Sequence, residues 1–220
     1  MHDSIALTSL RLGTASGAAV AVLCLLYAVV MSIGLLTLPS PNHQIQEPWF
    51  TLMEVLIIAI SPAMVALTVA LHSWVPPERK SLALAGVAFM SMSAVLTCSV
   101  HFTILTLARQ PAFAGEQWAR LVFSFTWPSI AYALDILAWD YFFPFAALFS
   151  ATAIRGKGLA RTARGLLYAS SALAFMGLAG VPLANMQVRN IGIIGYELLF
   201  PIAAVVLAKL FRQAISDNAA

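Results

Sequence analysis

Charge is scarce in this chain: 10% of its 220 residues are Asp, Glu, Lys or Arg, where a soluble globular domain carries about a quarter. That shortage excludes a water-facing surface over most of the molecule. With 61% of residues hydrophobic, lipid is the solvent that the composition demands. No run alternates polar and apolar residues with period two, which argues against a membrane β-barrel. No stretch is long enough to make a separate soluble domain, so residues 1–220 read as one transmembrane domain. Cysteine is nearly absent. Cys24 and Cys98 fall inside apolar runs, where buried inert thiols are the simpler reading and a disulfide needs the two helices to touch. The chain also lacks C-x-x-C-H, G-x-G-x-x-G, a P-loop and G-x-S-x-G, so no cofactor is implied. No internal repeat is evident, and no low-complexity tract.

What is present is a series of six apolar runs, near 14–38, 50–74, 81–108, 128–154, 164–184 and 191–212. Each is long enough to cross a bilayer, which takes about 20 helical residues. The expectation is an all-α polytopic bundle of about six transmembrane helices, with the first run a true span and not a cleaved leader. Basic residues set its orientation. Arg11, Arg79, Lys80, Arg155, Lys157, Arg161, Arg164, Lys209 and Arg212 fall on one side, against Arg109, Arg120 and Arg189 on the other. Positively charged loops stay in the cytoplasm, so both termini are expected inside, in a bacterial inner (plasma) membrane. The net charge of +3 is thus a topology signal, and no nucleic-acid partner follows from it. Loops are short, the first outer one being Pro39-Ser40-Pro41-Asn42. The segment 117–127 is either an interfacial helix or a plain loop before a long fourth helix.

Ionisable residues inside the hydrocarbon are costly, and each is a functional candidate. They are Glu54, His101, Asp135, Asp140 and Glu197. Counting helical rise, Glu54, Asp135 and Glu197 come roughly 7–11 Å below the outer boundary, His101 about 12 Å and Asp140 about 18 Å. Four helices therefore deliver acids and a histidine to one layer. Asp140 and Glu197 each stand four residues before a proline, Pro144 and Pro201. A helical proline leaves the carbonyl four residues earlier unbonded, and such backbone at membrane depth belongs beside a cavity or a protein partner. Asp135 and Asp140 are separated by about 140° on an α-helix, which lets them flank a wide site but not meet at a tight one. Asp135 alternatively pairs with Arg189 or Arg120 as an interhelical strut. Glu54 alternatively reaches the headgroups, and His101 alternatively serves packing.

Aromatic residues crowd the same region, with Tyr132 and Trp139 on the face of Asp135 and with Tyr196 beside Glu197. Carboxylates among aromatic faces suit an organic cation or a developing carbocation. Two functions follow. One is binding or transport of a small, cationic or lipophilic ligand, with coupling to protons as one form of it. Its ligand-binding residues are Glu54, His101, Asp135, Tyr132, Trp139 and Tyr196. The other is a membrane-embedded enzyme on a lipophilic, isoprenoid-like substrate, with Asp140 and Glu197 as catalytic acids. A metal site on Glu54, His101, Asp135 and Glu197 lacks paired-ligand spacing, and no metal is expected. The partners are therefore the lipid bilayer and a small-molecule or lipophilic ligand. The small-residue faces, Gly13-x-x-x-Gly17 above all, serve packing within the bundle or a homo-oligomer.

Overall fold

In lipid a backbone can satisfy its own polar groups by coiling into helices, and helices are what these apolar runs form. The structure, a computed structural model, describes residues 2–40, 43–113 and 115–217; among them there is no β-strand. In chain order the helices are α1 (His2–Leu36), α2 (Trp49–Trp74), α3 (Lys80–Thr106), α4 (Gln117–Phe123), α5 (Ile130–Ala153), α6 (Leu159–Leu178) and α7 (Met186–Asp217). Five of them, α1, α2, α3, α5 and α7, are long and apolar enough to cross a membrane. The chain is an integral membrane protein. The predicted fifth run, α6, has 20 residues, but Arg161 and Arg164 in its first two turns leave it less apolar than the rest.

Several boundaries differ from expectation, each for a local reason. The last helix starts at Met186 and not near 191, because the Asn185 side chain caps it by accepting from the Gln187 N–H at 3.0 Å. Arg189 is thereby moved from an outer loop into a helix. Helix α6 follows Gly158, whose φ of +59° favours glycine, and it ends at Leu178 where 164–184 was expected. The first helix extends back to His2. The ambiguous outer segment resolves into α4, seven residues long, followed by irregular chain up to the α5 cap at Ser129. Of the first outer loop, Pro41 and Asn42 lie outside the described residues.

The long helices pack as a closed ring in chain order: α1 on α2, α2 on α3, α3 on α5, α5 on α6, α6 on α7, and α7 back on α1. Closure between first and last helices is close because Gly13 and Gly17 lie against Phe211 and Ala204 of α7. The glycine pair is thus used inside the bundle, as small residues in membrane helices commonly are.

Two helices of the ring are not α-helical throughout. Leu137–Phe142 in α5 and Ile194–Leu199 in α7 are π-helical turns. Their i→i+5 bonds run from the Phe143 N–H to Ala138 and from the Phe200 N–H to Gly195. In each case the residue after that phenylalanine is proline, which can donate nothing to the carbonyl four residues back, so the ladder widens just ahead of it. A serine from the neighbouring helix supports each widened turn. Ser93 of α3 donates to the Ala138 carbonyl at 2.9 Å, and Ser170 of α6 donates to the Gly195 carbonyl at 2.8 Å. The coincidence of these two turns exposes a repeat that hydropathy conceals. Ala138-Trp139-Asp140, Phe143-Pro144 and Ala146-Ala147 correspond, at identical spacing, to Gly195-Tyr196-Glu197, Phe200-Pro201 and Ala203-Ala204. The same pattern of acid, Phe-Pro and small residues thus occurs twice, over ten residues each time.

Candidate functional site

Four helices of the ring deliver one connected run of charged side chains. From α2, Glu54 Oε2 lies 2.8 Å from His101 Nδ1 on α3. His101 Nε2 stands 3.7 Å from Asp135 Oδ1 on α5, beyond hydrogen-bond reach. From α7, Arg189 donates through Nη2 to Asp135 Oδ2 at 2.6 Å and through Nε to Asp140 Oδ2 at 2.8 Å. All five residues are buried: Glu54 is 3% exposed, His101 6%, Asp135 8%, Asp140 0% and Arg189 7%. The guanidinium also lies over the Tyr132 ring, 4.6 Å from its centroid, an arrangement that stabilises a cation.

The π turn explains how Arg189 can hold both aspartates, which an undisturbed α-helix forbids. An extra residue in the turn makes five residues cover about the angle of four, roughly 40° beyond a full rotation. Asp135 and Asp140 therefore point the same way. The strut between Asp135 and Arg189 is present, and Asp140 joins it.

A cavity of about 630 Å³ lies against this run. Tyr27 and Met31 of α1, Glu54 and Ile57 of α2, and His101 of α3 form one side. Tyr132, Asp135 and Trp139 of α5 and Arg189, Tyr196 and Glu197 of α7 form the other. The expected residues Glu54, His101, Asp135, Tyr132, Trp139, Tyr196 and Glu197 thus share one hollow. Asp140 does not line it. Its Oδ2 faces Arg189 and its Oδ1 is enclosed by the backbones of Gly177 and Gly192, leaving no path to a substrate. Two polar atoms of the cavity wall, His101 Nε2 and Glu197 Oε2, are buried and make no hydrogen bond.

The cavity reaches the surface at the end of the ring where α2 and α7 begin and α3 ends. Exposed His43, Gln44 and Glu47 form its rim, with Arg109 and the segment Phe123–Thr126. Arg109 donates to Glu47 at 2.6 Å and to Thr51 at 2.7 Å. Gln44 donates to Thr126 at 3.3 Å, and the Phe125 ring lies 5.1 Å from that of His101. The irregular chain after α4 thus covers part of the opening.

Two members of the site are not legible in the sequence as ligand-facing groups. Tyr27 sits among apolar residues of α1 with no pattern to mark it. Arg189 reads there only as a strut, although Asn185 is a helix-start signal that places it on the helix carrying Glu197. Among the described residues no three His, Cys, Asp or Glu side chains are grouped to hold a metal ion; the guanidinium stands where a cation would bridge the aspartates. No protein-family model matches the chain, and no curated protein or solved structure is detectably similar to it.

Proposed function

We propose that this protein binds a small ligand in the ring cavity and carries it across, or senses it at, a plasma membrane, with proton movement through the buried acid–histidine run. The reading adopts six crossings with both termini in the cytoplasm: α6 lies between α5 and α7 in the ring, and nine of the twelve basic residues fall on one side. On that topology, in a bacterial inner membrane, the cavity opens outward. One observation carries the proposal. The cavity wall holds ionisable side chains from four helices, two of which present unbonded buried polar atoms. Such groups are expensive in a membrane and mark substrate or proton pathways.

The test is reconstitution into liposomes holding a pH-sensitive dye, challenged with panels of amines, neutral alcohols and acids. A response to a compound class that Glu54→Gln or Glu197→Gln removes supports carriage coupled to protons. Responses unchanged in both variants would sink it.

A second reading is favoured by the sharing of one cavity lining between Glu197 and Tyr132, Trp139 and Tyr196: acid catalysis on a lipophilic substrate, with ring faces stabilising positive charge. Because Asp140 is enclosed, Glu197 would be the acid and Asp140 would act only by holding Arg189. Mass spectrometry of lipids and isoprenoids incubated with the protein separates the two, since an enzyme yields a chemically altered product and a carrier does not.

A further inference from the structure

Resting on the binding reading above and deepening it, we propose that the ligand is an organic monocation, an alkylammonium or guanidinium, whose charge sits against Glu197.

The pattern that occurs in both α5 and α7 leads to this assignment. The two copies touch each other at matching positions. Arg189 lies over Tyr132 at 4.6 Å, Tyr196 lies against Trp139 at 5.1 Å, and Phe200 lies against Phe143 at 5.1 Å. Arg189 stands seven residues before Tyr196, as Tyr132 does before Trp139, so each contact joins equivalent residues. The contacts also follow the same order along both helices. The two helices therefore run parallel with equivalent faces opposed, the relation made by a local two-fold axis along them.

Under that two-fold, whatever the acid of one copy meets, the acid of the other meets in its equivalent. Asp140 of the first copy meets Arg189 of the second. Glu197 of the second copy should meet the residue of the first that corresponds to Arg189, and that residue is Tyr132. One acid has a resident cation. The other has no cation at the equivalent position of the sequence, where Tyr132 stands. The ion pairs of this region join Glu54, His101, Asp135, Asp140 and Arg189, with Glu197 in none of those described.

Charge balance leads the same way. Four carboxyl groups, Glu54, Asp135, Asp140 and Glu197, face one guanidinium and one imidazole. Even with His101 protonated, two negative charges remain, and in low dielectric a buried charge needs a partner or a proton. An organic monocation supplies one at Glu197. Tyr27 and Trp139 line the same cavity, and aromatic ring faces favour cations. A hollow of about 630 Å³ is within the size range of small-molecule sites.

The test uses charged thiol reagents as probes and works whatever the natural ligand is. In a background of Cys24→Ala and Cys98→Ala, Ile193→Cys places one thiol on the cavity wall, a turn before Glu197. Its rates of modification by a trimethylammonium-ethyl and a sulfonato-ethyl methanethiosulfonate are measured in membranes. Both are normalised to the same reagents acting on the exposed control Gln110→Cys. The cationic reagent should be favoured by about tenfold or more, as expected for a cleft lined with one sign of charge. That preference should fall sharply in Glu197→Gln and return in Glu197→Asp. In the protein retaining Glu197, 2-phenylethylamine should slow modification and 2-phenylethanol should not. Equal normalised rates, a preference indifferent to Glu197→Gln, or equal protection by amine and alcohol each overturn the cation assignment while leaving the cavity reading intact. If neither reagent modifies Ile193→Cys, the cavity is not reached and the underlying proposal falls. Should the Glu197 variants fail to fold, the amine–alcohol comparison still decides.

Discussion

The backbone of Gly192 lies directly against the carboxyl group of Asp140: a β-carbon added at Gly192 would stand 2.5 Å from Asp140 Oδ1, and one added at Gly177 would stand 2.7 Å from it. These two glycines, on α7 and α6, leave just enough room for a carboxyl group that is 0% exposed. Asp140 in turn fixes the Nε side of Arg189, and Arg189 fixes Asp135 at the cavity wall. The shape of the ligand-facing surface therefore depends on two residues that never touch the cavity.

Gly192→Ala should accordingly destabilise the protein, by about 1–3 kcal/mol as for other overpacked sites. Thermal unfolding in detergent measures it. The control is Gly165→Ala on α6, where nothing lies within 4 Å of the added carbon. That change should be neutral or stabilising by about 0.5–1 kcal/mol, the helix preference of alanine over glycine. Equal effects at the two positions would remove the steric account of how Asp140 is held.

Arg189→Gln should cost far more, about 3–5 kcal/mol, because it leaves two buried carboxylates without their cation. Combining it with Asp135→Asn and Asp140→Asn should recover much of the loss, since all three charges then leave together. Arg189→Lys should recover little: the two aspartates are bonded by different nitrogens of one planar fork, which a single ammonium cannot imitate. Unfolding midpoints of the three variants rank the cases. A lysine variant as stable as the native protein would show that geometry is unimportant here.

What is legible in the sequence and what is not divide along a physical line. Apolar length marks the membrane helices, because lipid leaves a spanning backbone few choices. Helical rise alone brings Glu54, His101, Asp135 and Glu197 to a common depth, and these do line one cavity. Rotation about the helix axis is the weak point. An undisturbed 3.6-residue turn sets Asp135 and Asp140 apart, and the π turn at Leu137–Phe142 reverses that. Its sign is present in the acid-to-proline spacing, which marks a freed carbonyl but does not by itself give the change in register. The correspondence between the two π turns is hidden for a related reason. Its matches, such as Trp139 with Tyr196 and Asp140 with Glu197, keep chemical character but not identity, and both lie in runs of similar hydropathy.

Pro144→Ala gives the π turn a test in which the usual sign is reversed. Replacing a proline inside an α-helix ordinarily restores a backbone hydrogen bond and relieves a clash, worth up to about 3 kcal/mol. Here the restored N–H would bond the Asp140 carbonyl, tighten the turn, and swing Asp140 away from Arg189. Pro144→Ala is expected to lower the unfolding temperature, whereas Pro62→Ala in α2, where the helix is α-helical throughout, should leave it unchanged or raise it. Stabilisation by both would mean that the widened turn is not what aligns the two aspartates.

At the rim, Arg109 is placed to control access without contributing much to stability. Its side chain is 39% exposed and that of Glu47 is 56% exposed, and an ion pair in such surroundings is worth about 0–1 kcal/mol. Yet the same guanidinium joins Glu47 and Thr51, ahead of and within α2, to the end of α3, and it lies over Phe50 at 5.9 Å. Removing it frees the loop that forms one lip of the cavity. Arg109→Ala should therefore leave the unfolding temperature nearly unchanged while raising the modification rate of a cavity thiol such as Ile193→Cys several-fold. The rate at an exposed thiol, Gln110→Cys, is unsuitable as the reference because it adjoins the substitution, so Leu183→Cys, at a position 64% exposed and away from the cavity, serves instead. A variant that loses stability but gains no accessibility would make Arg109 a structural clamp and leave the opening ungated.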